Sequence, residues 1–203
     1  MYRLFFKRFF DFILALLGFI IVFPVFVFIT LYLTITNNGK PFFFQKRPGK
    51  NENIFAIIKF KSMVDKKDSN GNVLPDNERV TNFGTFIRKT SLDEIPQLIN
   101  ILKGDMSLVG PRPLRVHYLP YYTEKEKIRH TVRPGITGLA QISGRNLLSW
   151  DTKLAKDVEY VENLSFVNDL IILLKTVRKV FSFSDTYIDP NMLDLKALRQ
   201  RKN

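Results

Sequence analysis

Apolar positions dominate one stretch of the chain, Phe12 to Ile35, where 24 residues carry no charge and only Gly18, Pro24, Thr30, Tyr32 and Thr34 interrupt aliphatic and phenyl side chains. As a straight helix this run measures about 36 Å, long enough to cross the hydrocarbon core of a bilayer. Its Phe, Ile, Leu and Val side chains favour insertion by about 5 to 11 kcal/mol. The run is too long for a cleavable signal peptide, and no small-residue cleavage site follows it. Two topologies remain open. A conventional transmembrane helix is the ordinary reading, but Pro24 at the centre removes a backbone hydrogen bond. Basic residues also flank both ends, which the positive-inside rule disfavours for a span. A helix that bends at Pro24 and leaves by the face it entered would set every flanking cation against anionic lipid.

Beyond residue 36 the pattern changes. Pro41 to Arg47 and Ile54 to Met63 read as two strands joined at Pro48-Gly49, a hairpin with Lys59 and Lys61 on one face of its second strand. Such lysines are ordinarily solvated; the functional alternative is an anion-facing edge. Asp65 to Arg79 is polar and reads as a mobile loop able to cover a substrate. Leu98, Ile99, Ile101 and Leu102 form a helical stripe that Gly104 ends. Ser91 and Glu94 fit a capping box at its start, although Pro96 is tolerated in the first turn only if Asp93 is the N-cap, so the register stays ambiguous. A later helix carries Asp157, Glu159 and Glu162 as a solvated acidic face. The stripe Leu170, Leu173, Leu174, Val177 and Phe181 reads as core packing, with a bilayer surface as the alternative.

The 203 residues suffice for one domain or a domain with an appendage. The organisation expected is a membrane segment over residues 1–36 and a catalytic domain over 37–203, with a poorly defined tail after about 181. Net charge is +12, and residues 1–50 hold half of it. A hydrophobic fraction of 45% excludes a disordered basic tail. With no cysteine and only His117 and His130, thiol chemistry and histidine clusters are ruled out, which leaves carboxylates, lysines and arginines.

Those residues gather in two runs. In the first, Asp93 and Glu94 lie at a helix start between Arg88 and Gly110-Pro111-Arg112-Pro113. The bland alternatives are a helix cap and a rigid turn. The functional reading is a phosphate-processing site, since arginine binds phosphate bidentately and a carboxylate can attack phosphorus while its neighbour helps hold Mg²⁺. The second run spans Arg133 to Arg145. Its glycines, including Gly135 and Gly138, would allow close backbone approach to a ligand, and Gln141 and Arg145 could read a base or a diphosphate; a plain surface loop is the alternative.

Lys59-Phe60-Lys61-Ser62-Met63, Arg88 to Pro113 and Arg133 to Arg145, in that order after an apolar helix, resemble the bacterial sugar transferase family. These are small monotopic phosphoglycosyl transferases that begin glycoconjugate assembly on polyprenol phosphate. Within the family the likeness is greatest to the initiators of Campylobacter-type protein N-glycosylation. The resemblance implies a fold that is α/β in composition but mainly helical and monotopic, with a re-entrant N-terminal helix kinked at Pro24, membrane-surface helices and a small β-hairpin. It implies that Asp93 attacks the β-phosphate of a UDP-sugar, releasing UMP, and that polyprenol (undecaprenyl) phosphate then takes up the phosphosugar. Asp93 and Glu94 would share Mg²⁺, and Lys59, Arg88, Arg112, Gln141 and Arg145 would bind substrate. Phe23 stands where the family pattern has a serine before the proline. The partners implied are a UDP-sugar, polyprenol phosphate and anionic membrane lipid, with a homodimer and downstream glycosyltransferases as further candidates. The implied place is the cytoplasmic face of the bacterial inner membrane.

Two rivals are a membrane-anchored polyanion binder and a scaffold for other glycosylation enzymes. Half of the charge excess flanks the apolar segment, and no recognition helix or aromatic RNA motif occurs, so nucleic acid is not expected as a partner. Neither the sugar nor the pathway follows from residue spacing.

Overall fold

The apolar run forms α1, Lys7–Thr36, in the computed structural model, which describes residues 1–66, 68–144, 147–182 and 194–202. Thirty residues make a helix of about 45 Å. Helical structure continues through Pro24, so the helix is not broken into two there. Most of its central side chains are exposed, Ile20, Ile21, Phe28 and Leu31 among them. By length and composition this helix could cross a membrane. Both of its ends nevertheless attach to the same folded body. Near the start, Lys7 Nζ donates to Asp169 Oδ2 at 2.7 Å, and Asp11 Oδ1 accepts from Leu108 N at 3.0 Å. Near the end, Ile29 and Leu33 pack with Phe60 and Ile87, and Asn37 Nδ2 donates to Lys61 O at 2.8 Å.

The expected hairpin is present as β1, Phe42–Pro48, and β2, Ile54–Phe60, antiparallel with Arg47 opposite Phe55 and Phe43 opposite Lys59. The polar loop after it is closed at its base by a bridge between Met63 and Val80 and holds a short helix α2, Asp76–Arg79. Helix α3, Asn82–Lys89, starts with the Thr81 side chain accepting from Gly84 N. A single 3₁₀ turn, Leu92–Glu94, leads into α4, Gln97–Lys103, which Gly104 ends in the left-handed region at φ 94°. Arg8 reaches back to the end of α4, donating to Ile101 O and to Leu102 O.

A second sheet was not legible in the sequence. Strand β3, Ser107–Val109, precedes α5, Glu124–Lys127, and pairs in parallel with β4, Gly135–Thr137. Its glycines serve this pairing. A Cβ on Gly135 would lie 2.1 Å from Gly110 N, and one on Gly138 would lie 2.2 Å from Gly110 O. These glycines therefore let backbone meet backbone, which corrects the expectation that they make room for a ligand.

Helices α6, Leu139–Ser143, α7, Trp150–Glu162, and α8, Phe166–Ser182, follow. Val109, Val132, Tyr160, Val161 and Ile172 form the core between them. Two expectations change here. Asp157 is buried against Arg129 rather than lying on a solvated face. On α8, Leu173 packs against this core as expected, but Leu170, Leu174 and Val177 are exposed together with Phe166, Val167 and Ile171, so that part of the stripe is not core; the side chain of Phe181 lies outside the described residues. In the described part of the tail, α9, Leu195–Lys202, buries Leu195 against Tyr118, Tyr122 and Leu154. Arg199 pairs there with Glu126 and Asp151.

Candidate active site

Asp93 and Glu94 reach the site through a sharp local bend. Ser91 takes a left-handed conformation, φ 57° and ψ 15°, and its side chain caps nothing. Pro96 then stands just before α4, so neither expected cap register holds: a 3₁₀ turn and an α-helix meet at the proline. Proline favours this break because it cannot donate into a continuous helix. With no capping box, both carboxylates are left to the cations around them.

Lys59 on β2 supplies the first cation. Its Nζ donates to Glu94 Oε1 at 2.6 Å and lies 3.5 Å from Asp93 Oδ2. Arg112 supplies the second, donating to the same Glu94 Oε1 at 3.0 Å. The Asp93 and Glu94 side chains are 12% and 17% exposed, whereas that of Arg112 is 48% exposed, so the group opens to solvent on the arginine side. Asp93 Oδ1 and Glu94 Oε2 accept no hydrogen bond among the described residues.

This environment drives the two carboxyls apart. Burial raises Asp93 above the ordinary carboxylate range, Lys59 opposes that rise, and the Glu94 charge reinforces it. Burial would also raise Glu94, but Arg112 and Lys59 outweigh it and hold Glu94 down to about 2. Adjacent carboxyls split in this way are a common mark of divided chemical roles.

Three supports hold the frame. Asn100, fully buried on α4, accepts from Ile58 N at 3.0 Å and donates to Ala56 O at 2.8 Å, filling the open edge of β2 beside Lys59. Arg129, also buried, donates to Arg112 O at 2.6 Å and pairs with Asp157 Oδ2 at 2.9 Å. Pro111 O accepts from Gly135 N at 3.0 Å, which ties the Gly-Pro-Arg-Pro turn to β4. Sequence reading gave Asn100 and Arg129 no role. A buried asparagine between apolar helix positions is the one signal that pointed to Asn100.

The remaining predicted residues lie further out. Arg88, exposed at the end of α3, acts on Asp93 through its charge without forming an ion pair among the described residues. Gln141 does not join the carboxylates: its amide atoms are buried behind Gly138 with no hydrogen-bond partner. Arg145 lies outside the described residues. Lys61 turns to Asp65 instead of the site.

Comparison with known proteins gives one consistent match. Residues 2–183 fit the family model described as bacterial sugar transferase. The chain is 53% identical to a Bacillus subtilis protein named uncharacterized sugar transferase EpsL, over 86% of each. It is 38% identical to the exopolysaccharide production protein ExoY of Rhizobium meliloti, over 86% of this chain and 84% of that one. It is also 38% identical to the undecaprenyl-phosphate galactose phosphotransferase of Salmonella typhimurium, spanning 90% of this chain but 42% of that larger protein.

Proposed function

The chain belongs to the bacterial sugar transferase family, and on that premise we propose that it transfers a sugar 1-phosphate from a UDP-sugar to undecaprenyl phosphate, releasing UMP. The observation that supports this most is the pair Asp93 and Glu94, adjacent, mostly buried and held by Lys59 and Arg112, with the exposed arginine on the solvent side.

In the first half-reaction an Asp93 carboxylate oxygen bonds to the β-phosphorus. The bond from that phosphorus to the bridging oxygen breaks, and its electrons leave with UMP. In the second, a phosphate oxygen of undecaprenyl phosphate attacks the phosphosugar-aspartate, giving undecaprenyl-diphosphate-sugar and freeing Asp93. A nucleophile must be ionised, and Lys59 favours the ionised form of an otherwise buried group. Glu94 holds Lys59 and Arg112 in place until phosphate oxygens compete for them. Arg112 and Arg88 would then receive the equatorial and bridging oxygens.

Mg²⁺ fits these residues in the mode usual for that ion, two carboxylates plus substrate oxygens. Asp93 Oδ1 and Glu94 Oε2 are the free donors, and no larger His, Asp or Glu group occurs among the described residues. Bound there, the ion would neutralise charge on the diphosphate.

A monotopic arrangement on the cytoplasmic face accompanies this reading. Both ends of α1 attach to one body, and α8 presents apolar side chains with Lys175 and Arg178 among them. Both features suit a protein that enters one leaflet and rests on it. Tags at both termini should be labelled from one side only.

The deciding experiment is rapid-quench intact mass of the protein in nanodiscs, with a panel of UDP-sugars and no acceptor. One UDP-sugar should release UMP and leave a phosphosugar adduct on the wild-type protein but none on Asp93→Asn. UMP release with no adduct at any time refutes the covalent route; no release from any donor refutes the transfer. The relatives reported above are named for exopolysaccharide or galactose transfer, so UDP-galactose belongs in the panel beside UDP-diacetylbacillosamine.

A further inference from the structure

Two arginines on the Arg112 side of the site have no role in the carboxylate cluster. Arg47 ends β1 and Arg115 follows the Gly-Pro-Arg-Pro turn, and neither forms an ion pair with a carboxylate among the described residues. Arg47 is the odder of the two. One of its terminal nitrogens donates to Gln45 Oε1 at 2.6 Å, while its Nε is buried with no acceptor. Pro48 and Gly49, next in sequence, line the same small cleft as Pro111, Arg112 and Pro113, so this end of the hairpin abuts the turn that carries Arg112.

The electrostatics run against such a grouping unless an anion joins it. Burial lowers Arg47 to about 10, the like charges of Arg112 and Arg115 add to the fall, and only the Tyr118 and Tyr122 phenols oppose it. Among the described residues, Glu94 is the single carboxylate bonded to any of the three arginines, through Arg112. A half-buried guanidinium with an unused Nε donor beside two other cations is costly in an apoprotein, and it suits a multiply charged oxyanion well.

We infer that Arg47, Arg115 and Arg112 form a second phosphoryl-binding station, apart from the Lys59 cluster, that grips a phosphate group of one of the two substrates. Arg47 stands opposite Phe55, and Lys59 lies four residues further along β2, about 13 Å at the usual strand rise. Arg112, touching Glu94 at one end, bridges the two. The shared chemistry is a phosphoryl group, from the nucleotide of the donor or from the phosphate monoester of the acceptor. This rests on the transfer reading for which substrates are tested, but not for the existence of the site.

The test uses Arg47→Gln and Arg115→Gln in the full chain in nanodiscs. Calorimetry with UMP gives an affinity that needs no turnover, and steady-state assays give KM for the UDP-sugar and for undecaprenyl phosphate. Loss of a charge-assisted bond to phosphate predicts at least about a tenfold effect. A tenfold weaker UMP affinity in both variants assigns the station to the nucleotide. A tenfold higher acceptor KM with UMP affinity unchanged assigns it to the acceptor. Folded variants that keep UMP affinity and both KM values within twofold of wild type overturn the inference. If Arg47→Gln does not fold, the exposed Arg115 decides alone. Arginine-dependent UMP binding without turnover would sink the transfer reading and leave the station; turnover indifferent to both arginines would do the reverse. Wild-type protein that neither binds UMP nor turns over would sink both.

Discussion

Asn100 offers the sharpest check on how the site is held. Residues Ala56 and Ile58 point their backbone polar groups away from β1, toward an edge that no strand covers, and the Asn100 carboxamide satisfies one group of each. Asn100→Ala strands a buried N–H and a buried C=O at once. At about 1 to 3 kcal/mol for each orphaned group, the expected loss is about 2 to 6 kcal/mol. For a chain of this size that corresponds to a fall in the unfolding midpoint of about 4 to 24 °C. Asn100→Asp should do no better, since it keeps an acceptor for Ile58 but turns a charge toward Ala56 O and Asp105, which Asn100 Nδ2 now contacts at 3.3 Å. Because Lys59 follows Ile58, activity measured well below the midpoint should fall too. The assay is a thermal melt in nanodiscs beside UMP release at low temperature. A midpoint within about 2 °C of wild type would refute the claim that this side chain stands in for a missing strand.

Other outcomes follow from the same geometry. Arg129→Met leaves Asp157 ionised and buried without a partner, and should cost about 3 to 5 kcal/mol, while Arg129→Met with Asp157→Leu should recover much of it; chemical or thermal melts of the three variants decide. Gly135→Ala drives a Cβ into Gly110 N and should cost at least about 3 kcal/mol or prevent folding, whereas Gly18→Ala on α1 meets nothing within 4 Å and should fold normally, as soluble yield and melting would show. His130 is held down to about 3 by burial and by Arg129. An unfolded chain protonates it near 6.5, so its contribution is complete above that pH and is lost as pH falls toward 3, at up to about 1.4 kcal/mol per unit. Melting midpoints at pH 7 and pH 5 should therefore differ more for wild type than for His130→Gln; equal differences would contradict the assignment.

The amino-acid sequence by itself determined the elements that depend on neighbours along the chain. An uncharged apolar run specifies a long lipid-compatible helix, two alternating segments around Pro48-Gly49 specify a hairpin, and Gly104 ends α4 because it alone tolerates that backbone angle there. The motif Asp93-Glu94 with Gly-Pro-Arg-Pro was legible through its resemblance to the bacterial sugar transferase family, whose model residues 2–183 fit. Tertiary structure decided what each side chain faces. Asp157 and Glu159 share one helix, yet Asp157 meets buried Arg129 and Glu159 meets exposed Lys156. Leu170 and Ile172 are alike by composition, but Ile172 packs into the core and Leu170 faces outward. Gly135 and Gly138 look like a ligand loop until β3 and β4 pair and their backbones touch that of Gly110. The reason is physical: helix and strand propensity are read from contacts a few residues apart, whereas burial, charge pairing and backbone approach join residues 17 to 162 positions apart, which no local pattern encodes.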